Sequence, residues 1–250
     1  MPKSVGAQGG GFSLASALIQ LVLLFLAVRY WQVSAIQPLK LLVVLLHEMS
    51  HGLMALATGG RVHDIVVTPA EGGSCESSGG NAVLIAAAGY LGSIFFGGMI
   101  LRASRDRGSA AAAFALLTLL LLGAACTVLH DSYSRTFAFS LAATFMLVGI
   151  VAPGIFGGLF LRATGTVSCL YALFDIYGDI LATRPEPGGV ENDAETFSSL
   201  TGMPVQLVGA SWLLISLLFF VAVLRSSVVH PARAASASSS SRTPAEAQAA

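Results

Sequence analysis

Apolar stretches at 12–28, 39–58, 81–101, about 110–129, about 136–151, about 165–182 and 205–224 alternate with short polar ones. Each is near the roughly 20 residues that an α-helix needs to cross the hydrocarbon of a bilayer. The pattern predicts an all-α polytopic membrane protein with about seven transmembrane segments. Local signals set the boundaries. Pro38 suits the start of the second helix, and Gly59 and Gly60 suit its end. From 61 to 80 the pattern changes: β-branched Val62, Ile65, Val66 and Val67 precede a Gly- and Ser-rich stretch, which predicts a short hairpin or re-entrant loop. Pro153, Gly154, Gly157 and Gly158 interrupt the chain between the fifth and sixth segments. A broken helix is tolerated there if protein buries it. The first stretch is long and lacks a small-residue cleavage pattern before Arg29, Tyr30 and Trp31, so it is expected to be a retained span and no signal peptide. Residues 1–11 form a flexible amino terminus, 12–225 the membrane domain, and 226–250 an Ala/Ser-rich tail expected to be disordered.

Composition narrows the function classes. The chain is 55% hydrophobic and 10% charged, with a mean hydropathy of +0.78, too apolar for a soluble domain. Its partner is the lipid bilayer, and it is multi-pass. Net charge is zero, and no basic cluster alternates with aromatics, so no nucleic-acid partner is expected. Cys75, Cys126 and Cys169 are odd in number and widely spaced, which implies neither a disulfide framework nor a cysteine metal site. With seven spans, Arg29, Lys40, Arg102, Arg105, Arg107, Arg162, Arg225, Arg233 and Arg242 fall on one side, against Lys3, Arg61, Arg135 and Arg184 on the other. The first side is expected to be cytoplasmic, with the amino terminus facing away from it.

One apolar stretch carries chemistry. His47-Glu48-Met49-Ser50-His51 lies within 39–58, where ionisable residues cost roughly 2.5–3.5 kcal/mol each on insertion scales and mark functional sites. For this composition the chance occurrence of H-E-x-x-H is on the order of 0.003 per chain. Residues four apart share a helix face, so His47 and His51 offer two nitrogens to one Zn²⁺ while Glu48 reaches a water. A catalytic zinc takes a third protein ligand. Asp175 and Asp179 are the acids at membrane depth. Asp175 is expected to be the ligand, because the second and sixth spans would start from the same side and bring it to the depth of the histidines. Asp179, one turn on, would orient a ligand, bind the metal itself or meet water at the rim. Gly89, Ser93 and Gly97 recur every four residues on the third span, a stripe that lets another helix approach closely.

The run His47-Glu48-Met49-Ser50-His51-Gly52, with Ala55, Gly59, Gly60 and Val62 after it, resembles the site-2 protease group of intramembrane zinc metallopeptidases, in particular its M50B-like branch. The likeness continues at Ala88-Gly89-Tyr90-Leu91-Gly92-Ser93 and at Leu173-Phe174-Asp175-Ile176. Tyr90 stands where many relatives have proline, and no glycine follows Asp175. The resemblance implies zinc on His47, His51 and Asp175, Glu48 as general base, and endopeptidase cleavage of membrane-spanning protein substrates. Residues 62–67 would then hold a locally unwound substrate as an added strand. Two alternatives keep the metal without proteolysis: a zinc-stabilised scaffold or regulator, and a metal transporter. Structural zinc sites usually have four protein ligands and no neighbouring base, and no internal repeat or His-rich loop favours transport.

Overall fold

Capping residues set the helix starts. In a computed structural model that describes residues 13–182 and 192–228, the side chains of Ser13, Asn81, Asp106 and Asp131 each accept a backbone N–H in the first turn of the helix that follows. These helices are α1 (Leu14–Arg29), α3 (Ala82–Ala103), α4 (Arg107–Thr127) and α5 (Ser132–Val151). α2 (Gln37–Ala57) has Pro38 in its first turn and stops before Gly59, whose φ of +88° favours glycine. α6 (Ile155–Asp175) passes into a π-helical segment, Ile176–Ala182, and α7 (Asp193–Thr201) and α8 (Val205–Val228) complete the chain. Of the tail expected at 226–250, Ser226 to Val228 continue α8, and the rest lies outside the described residues.

Six helices, α2 to α6 and α8, are long and apolar enough to cross a membrane, and α1 is a shorter apolar helix of 16 residues. The sixth segment differs most from expectation. Only Ala152 to Gly154 break the chain, while Gly157 and Gly158 lie inside α6. Gly157 is accepted there because its missing Cβ leaves room for the Ala152 carbonyl.

The hairpin is present. β1 (Arg61–Val67) pairs antiparallel with β2 (Gly73–Ser78), with an irregularity in register at His63. Its tip folds back to the start of α2, where Gln37 donates to the Pro69 carbonyl (2.8 Å) and Lys40 pairs with Glu71 (3.1 Å). The outer edge of β1 is already engaged: Ile65 N–H donates to the Val128 carbonyl, and Ser134 Oγ bonds both Val67 N–H and Val67 C=O. That edge is therefore closed to an added strand, contrary to the sequence expectation.

Contacts along α6 fix the direction of its neighbours. Ser16, Gln20 and Trp31 meet Arg162, Thr166 and the Tyr171–Phe174 rings in turn, so α1 runs parallel to α6. Gly97 packs on Ser168 and Gly165 on the Leu101 backbone, so α3 runs antiparallel to α6. The end of α1 and the start of α3 thus share one end of the bundle. α2 joins two points at that end and does not return the chain to the other.

α2 is accordingly the most enclosed of the long helices, with 72% of its apolar window buried against 28% for α5. Leu41 to Leu46 pack with Ile65, Val67, Phe114 and Phe145 in one core cluster. The charge map changes with this geometry. Arg102, Arg105, Arg107, Arg162 and Arg225 gather at one end, together with the start of α1, because Arg162 bonds the carbonyls of both Ser16 and Ser227. Arg29 and Lys40 lie at the other end, and the start of α1 is on the arginine-rich side.

Candidate metal centre

α2 places His47 and His51 one turn apart, with ring centroids 4.9 Å from each other. Tyr90 of α3 packs edge-on against His47 at 4.8 Å, which restricts that imidazole. His51 Nδ1 lies 2.7 Å from the Ile85 carbonyl. A carbonyl can only accept, so Nδ1 carries the proton and donates, and the neutral ring has its lone pair on Nε2. Both Nε2 atoms converge on Asp193 Oδ2, at 3.0 Å from His47 and 3.1 Å from His51. These three residues are the group of potential ligands whose atoms all lie within 4.8 Å of one another.

Asp193 is held by local structure. Asn192 caps α7 in a reciprocal capping box with Glu195, and Gly202, at φ +75°, closes the helix. Ala194, Tyr90, Ile176 and Trp212 form a buried cluster beneath it. Two helices and a cap therefore fix the carboxylate.

The donor set fits a tetrahedral cation. Asp193 Oδ2 is buried and receives no hydrogen bond from a described residue, despite its two imidazole neighbours. A lone pair on His51 Nε2 facing a carboxylate oxygen at 3.1 Å is repulsive unless a proton or metal lies between them. Zinc bonds of about 2.0–2.1 Å would span N···O edges of about 3.3 Å, close to the separations found. Space is left as well. A Cβ built on Gly89 would fall among His47 Nε2, His51 Nε2 and Asp193 Oδ2, in contact with all three. The small residue at 89 thus keeps the gap between the donors open, a role separate from the helix packing expected of the Gly89, Ser93 and Gly97 stripe.

Glu48 is 7% exposed and lies outside that ligand group. The hairpin passes over it: a Cβ on Gly73 would come within 2.5 Å of Glu48 Oε1 and 2.8 Å of its Cγ. Cys75 lines the same region, near Gly52. Burial, with a smaller contribution from Glu48, pushes its thiol up to about 12, so it is an apolar wall and no thiolate ligand at neutral pH.

The acid that the structure brings to the two histidines is Asp193 and not the expected Asp175. Asp175 is the half-buried last residue of α6 and is not in the ligand group. The reason is directional. The depth argument needed α2 and α6 to start from the same side, yet Lys40 at the start of α2 covers Trp31, which packs on Phe174 at the end of α6. The side chain of Asp179 lies outside the described residues. Asp193 is the ligand candidate that sequence reasoning missed. Its available signal was the Asn192-x-x-Glu195 pattern, which marks a helix start and hence an ordered carboxylate.

Comparisons with curated proteins and with solved structures return no match. The family model described as Peptidase M50B-like covers residues 18–223, a stretch that includes His47, Glu48, His51, Gly89 and Asp193, and the chain belongs to that family.

Proposed function

We propose that this multi-pass membrane protein is a zinc-dependent endopeptidase that cleaves membrane-spanning substrates, with His47, His51 and Asp193 as metal ligands and Glu48 as general base. The observation that carries the reading is the convergence of two Nε2 atoms on an orphaned carboxylate oxygen around the gap at Gly89. Zn²⁺ in that gap would supply Lewis-acid polarisation of a peptide carbonyl and acidify a water. Glu48, next to His47 on the same helix, takes the proton of the attacking water and returns it to the leaving amine. Three protein ligands leave a coordination position open, which favours hydrolysis over a closed structural site.

The hairpin supplies the substrate platform in this reading. A transmembrane helix hides its carbonyls in internal hydrogen bonds and must unwind before attack. β2 passes over Glu48 and, among the described residues, has a strand neighbour, β1, on one side only, so an extended substrate segment adds at its other edge. The earlier assignment of this role to residues 62–67 moves to Gly73–Ser78. The Lys40–Glu71 pair ties the hairpin tip to the start of α2 and so holds that platform in place.

The test is purification in detergent, zinc quantification and cleavage of a membrane peptide by wild type and Glu48→Gln. Retained zinc with cleavage lowered by a factor of about 10²–10⁴ is expected for loss of a general base. Equal cleavage by the two proteins would remove Glu48 from the mechanism.

A further inference from the structure

An open cleft lies at the opposite end of the bundle from His47, His51 and Asp193. It holds about 250 Å³ between the α3–α4 turn and the start of α6, and Arg105, Arg107 and Arg162 line it with Asp106 as its one acid. Asp106 is committed elsewhere, since its Oδ1 accepts the Ser109 N–H at 2.8 Å to cap α4. Arg162 is 8% exposed. Its guanidinium has two long contacts, at 3.4 Å, to the carbonyls of Ser16 and Ser227. Among the described residues no carboxylate lies within ion-pair distance of it. A guanidinium has five N–H donors, and burying one without a counter-ion is costly. The first turn of α6 opens on the same cleft; the Ala152 carbonyl accepts the Gly157 N–H, and the N-cap, Gly154, has no side-chain oxygen for the N–H groups of Ile155 and Phe156.

These features together call for an anion with several acceptor oxygens. The surroundings specify what carries it. Ile155 and Leu159 line the cleft, and with Ile150, Val151 and Phe156 they form an apolar strip that is 40–83% exposed on membrane-spanning helices. A soluble phosphate would leave that strip unused, whereas a phospholipid would lay its acyl chains along it. The cleft is also at the arginine-rich end, which the positive-inside rule places in the cytoplasmic leaflet, where anionic lipids concentrate. We infer that Arg105, Arg107 and Arg162 form a binding site for the phosphate of an anionic glycerophospholipid, which neutralises the buried guanidinium.

The experiment uses the full chain in a neutral detergent, with lipid retention read by native mass spectrometry. Phosphatidylglycerol and phosphatidylcholine are titrated separately, and inorganic phosphate is added as a competitor. Phosphatidylglycerol should be retained preferentially as one bound lipid. Arg162→Gln and, independently, Arg107→Gln at the exposed rim should each weaken retention about five- to tenfold. Arg225→Gln, outside the cleft, should not. If Arg162→Gln fails to fold, Arg107→Gln still decides. Equal retention of the two lipids, no effect of Arg107→Gln, or displacement of phosphatidylglycerol by millimolar inorganic phosphate would each overturn the lipid assignment, the last by transferring the site to a soluble anion. Zinc content and peptide cleavage are not used as readouts, so the outcome is independent of the metal centre.

Discussion

At the scale of single residues, the metal centre depends on three donors and one absence. Asp193 supplies the orphaned oxygen, and Asp175 lies outside the ligand group. Loss of supporting residues alone costs about 10–100-fold in metal affinity, so Asp193→Asn should weaken zinc binding by more than about 100-fold. Asp175→Asn should leave it within a small factor of wild type. Competitive titration with a zinc chelator measures both, and the reverse order would restore Asp175 as the ligand. Gly89 tests the same centre from the opposite helix. Alanine is the better helix former by about 1 kcal/mol, so Gly89→Ala has no reason to unravel α3. Its Cβ would nevertheless occupy the gap among His47, His51 and Asp193. The expected variant is fully helical by circular dichroism and carries almost no zinc, with all three donors still in the chain. A normal zinc stoichiometry would show that the gap is not where the metal sits.

At the scale of elements, the hairpin couples the start of α2 to the turn that carries Glu48. Lys40–Glu71 and Gln37–Pro69 hold its tip, Ser134 holds the outer edge of β1, and Gly73 lies over Glu48. A change at Gly73 should therefore affect proton transfer while sparing the metal. In Gly73→Ala the added carbon would collide with Glu48 Oε1, Glu48 Cγ and Val44 Cγ1, so the carboxylate or the strand must shift by a fraction of an ångström or more. Displacements approaching 1 Å cost about 100-fold in rate. Cleavage should fall by about 10–100-fold with zinc content unchanged, a combination that Gly89→Ala would not give. Unaltered cleavage would show that the contact between hairpin and base is dispensable. Helix packing is a separate matter: Gly97 and Gly165 let α3 and α6 approach to backbone contact, which sets the spacing of the two helices that flank the site.

At the scale of the whole molecule, the parts legible in the sequence were those that depend on local pattern. Helix starts at Pro38 and Asn81, the hairpin after Gly60, and the His47-Glu48-x-x-His51 face all follow from residues close together in the chain. The direction of α2 was not legible. Hydropathy reports that a helix is apolar, and a helix buried by its own protein looks the same as one that faces lipid. One wrong crossing then reversed the assumed side for Arg29 and Lys40 and moved the depth estimate to Asp175 in place of Asp193. The arrangement inferred from the Ser16–Arg162, Gln20–Thr166 and Trp31–Phe174 contacts makes a topological prediction. The start of α1 and the end of α8 must share a face of the membrane, and the hairpin must lie toward the other. Single cysteines at Ser13, Ser226 and Glu76, in a chain whose Cys75, Cys126 and Cys169 are replaced by alanine, can be probed in sealed vesicles with a membrane-impermeant maleimide. Ser13→Cys and Ser226→Cys should react from the same side, and the arginines at that end make it the cytoplasmic one. Glu76→Cys should react from the opposite side. Labelling of Ser13→Cys together with Glu76→Cys would mean that α1 runs antiparallel to α6, and the oblique course of α2 would lose its basis.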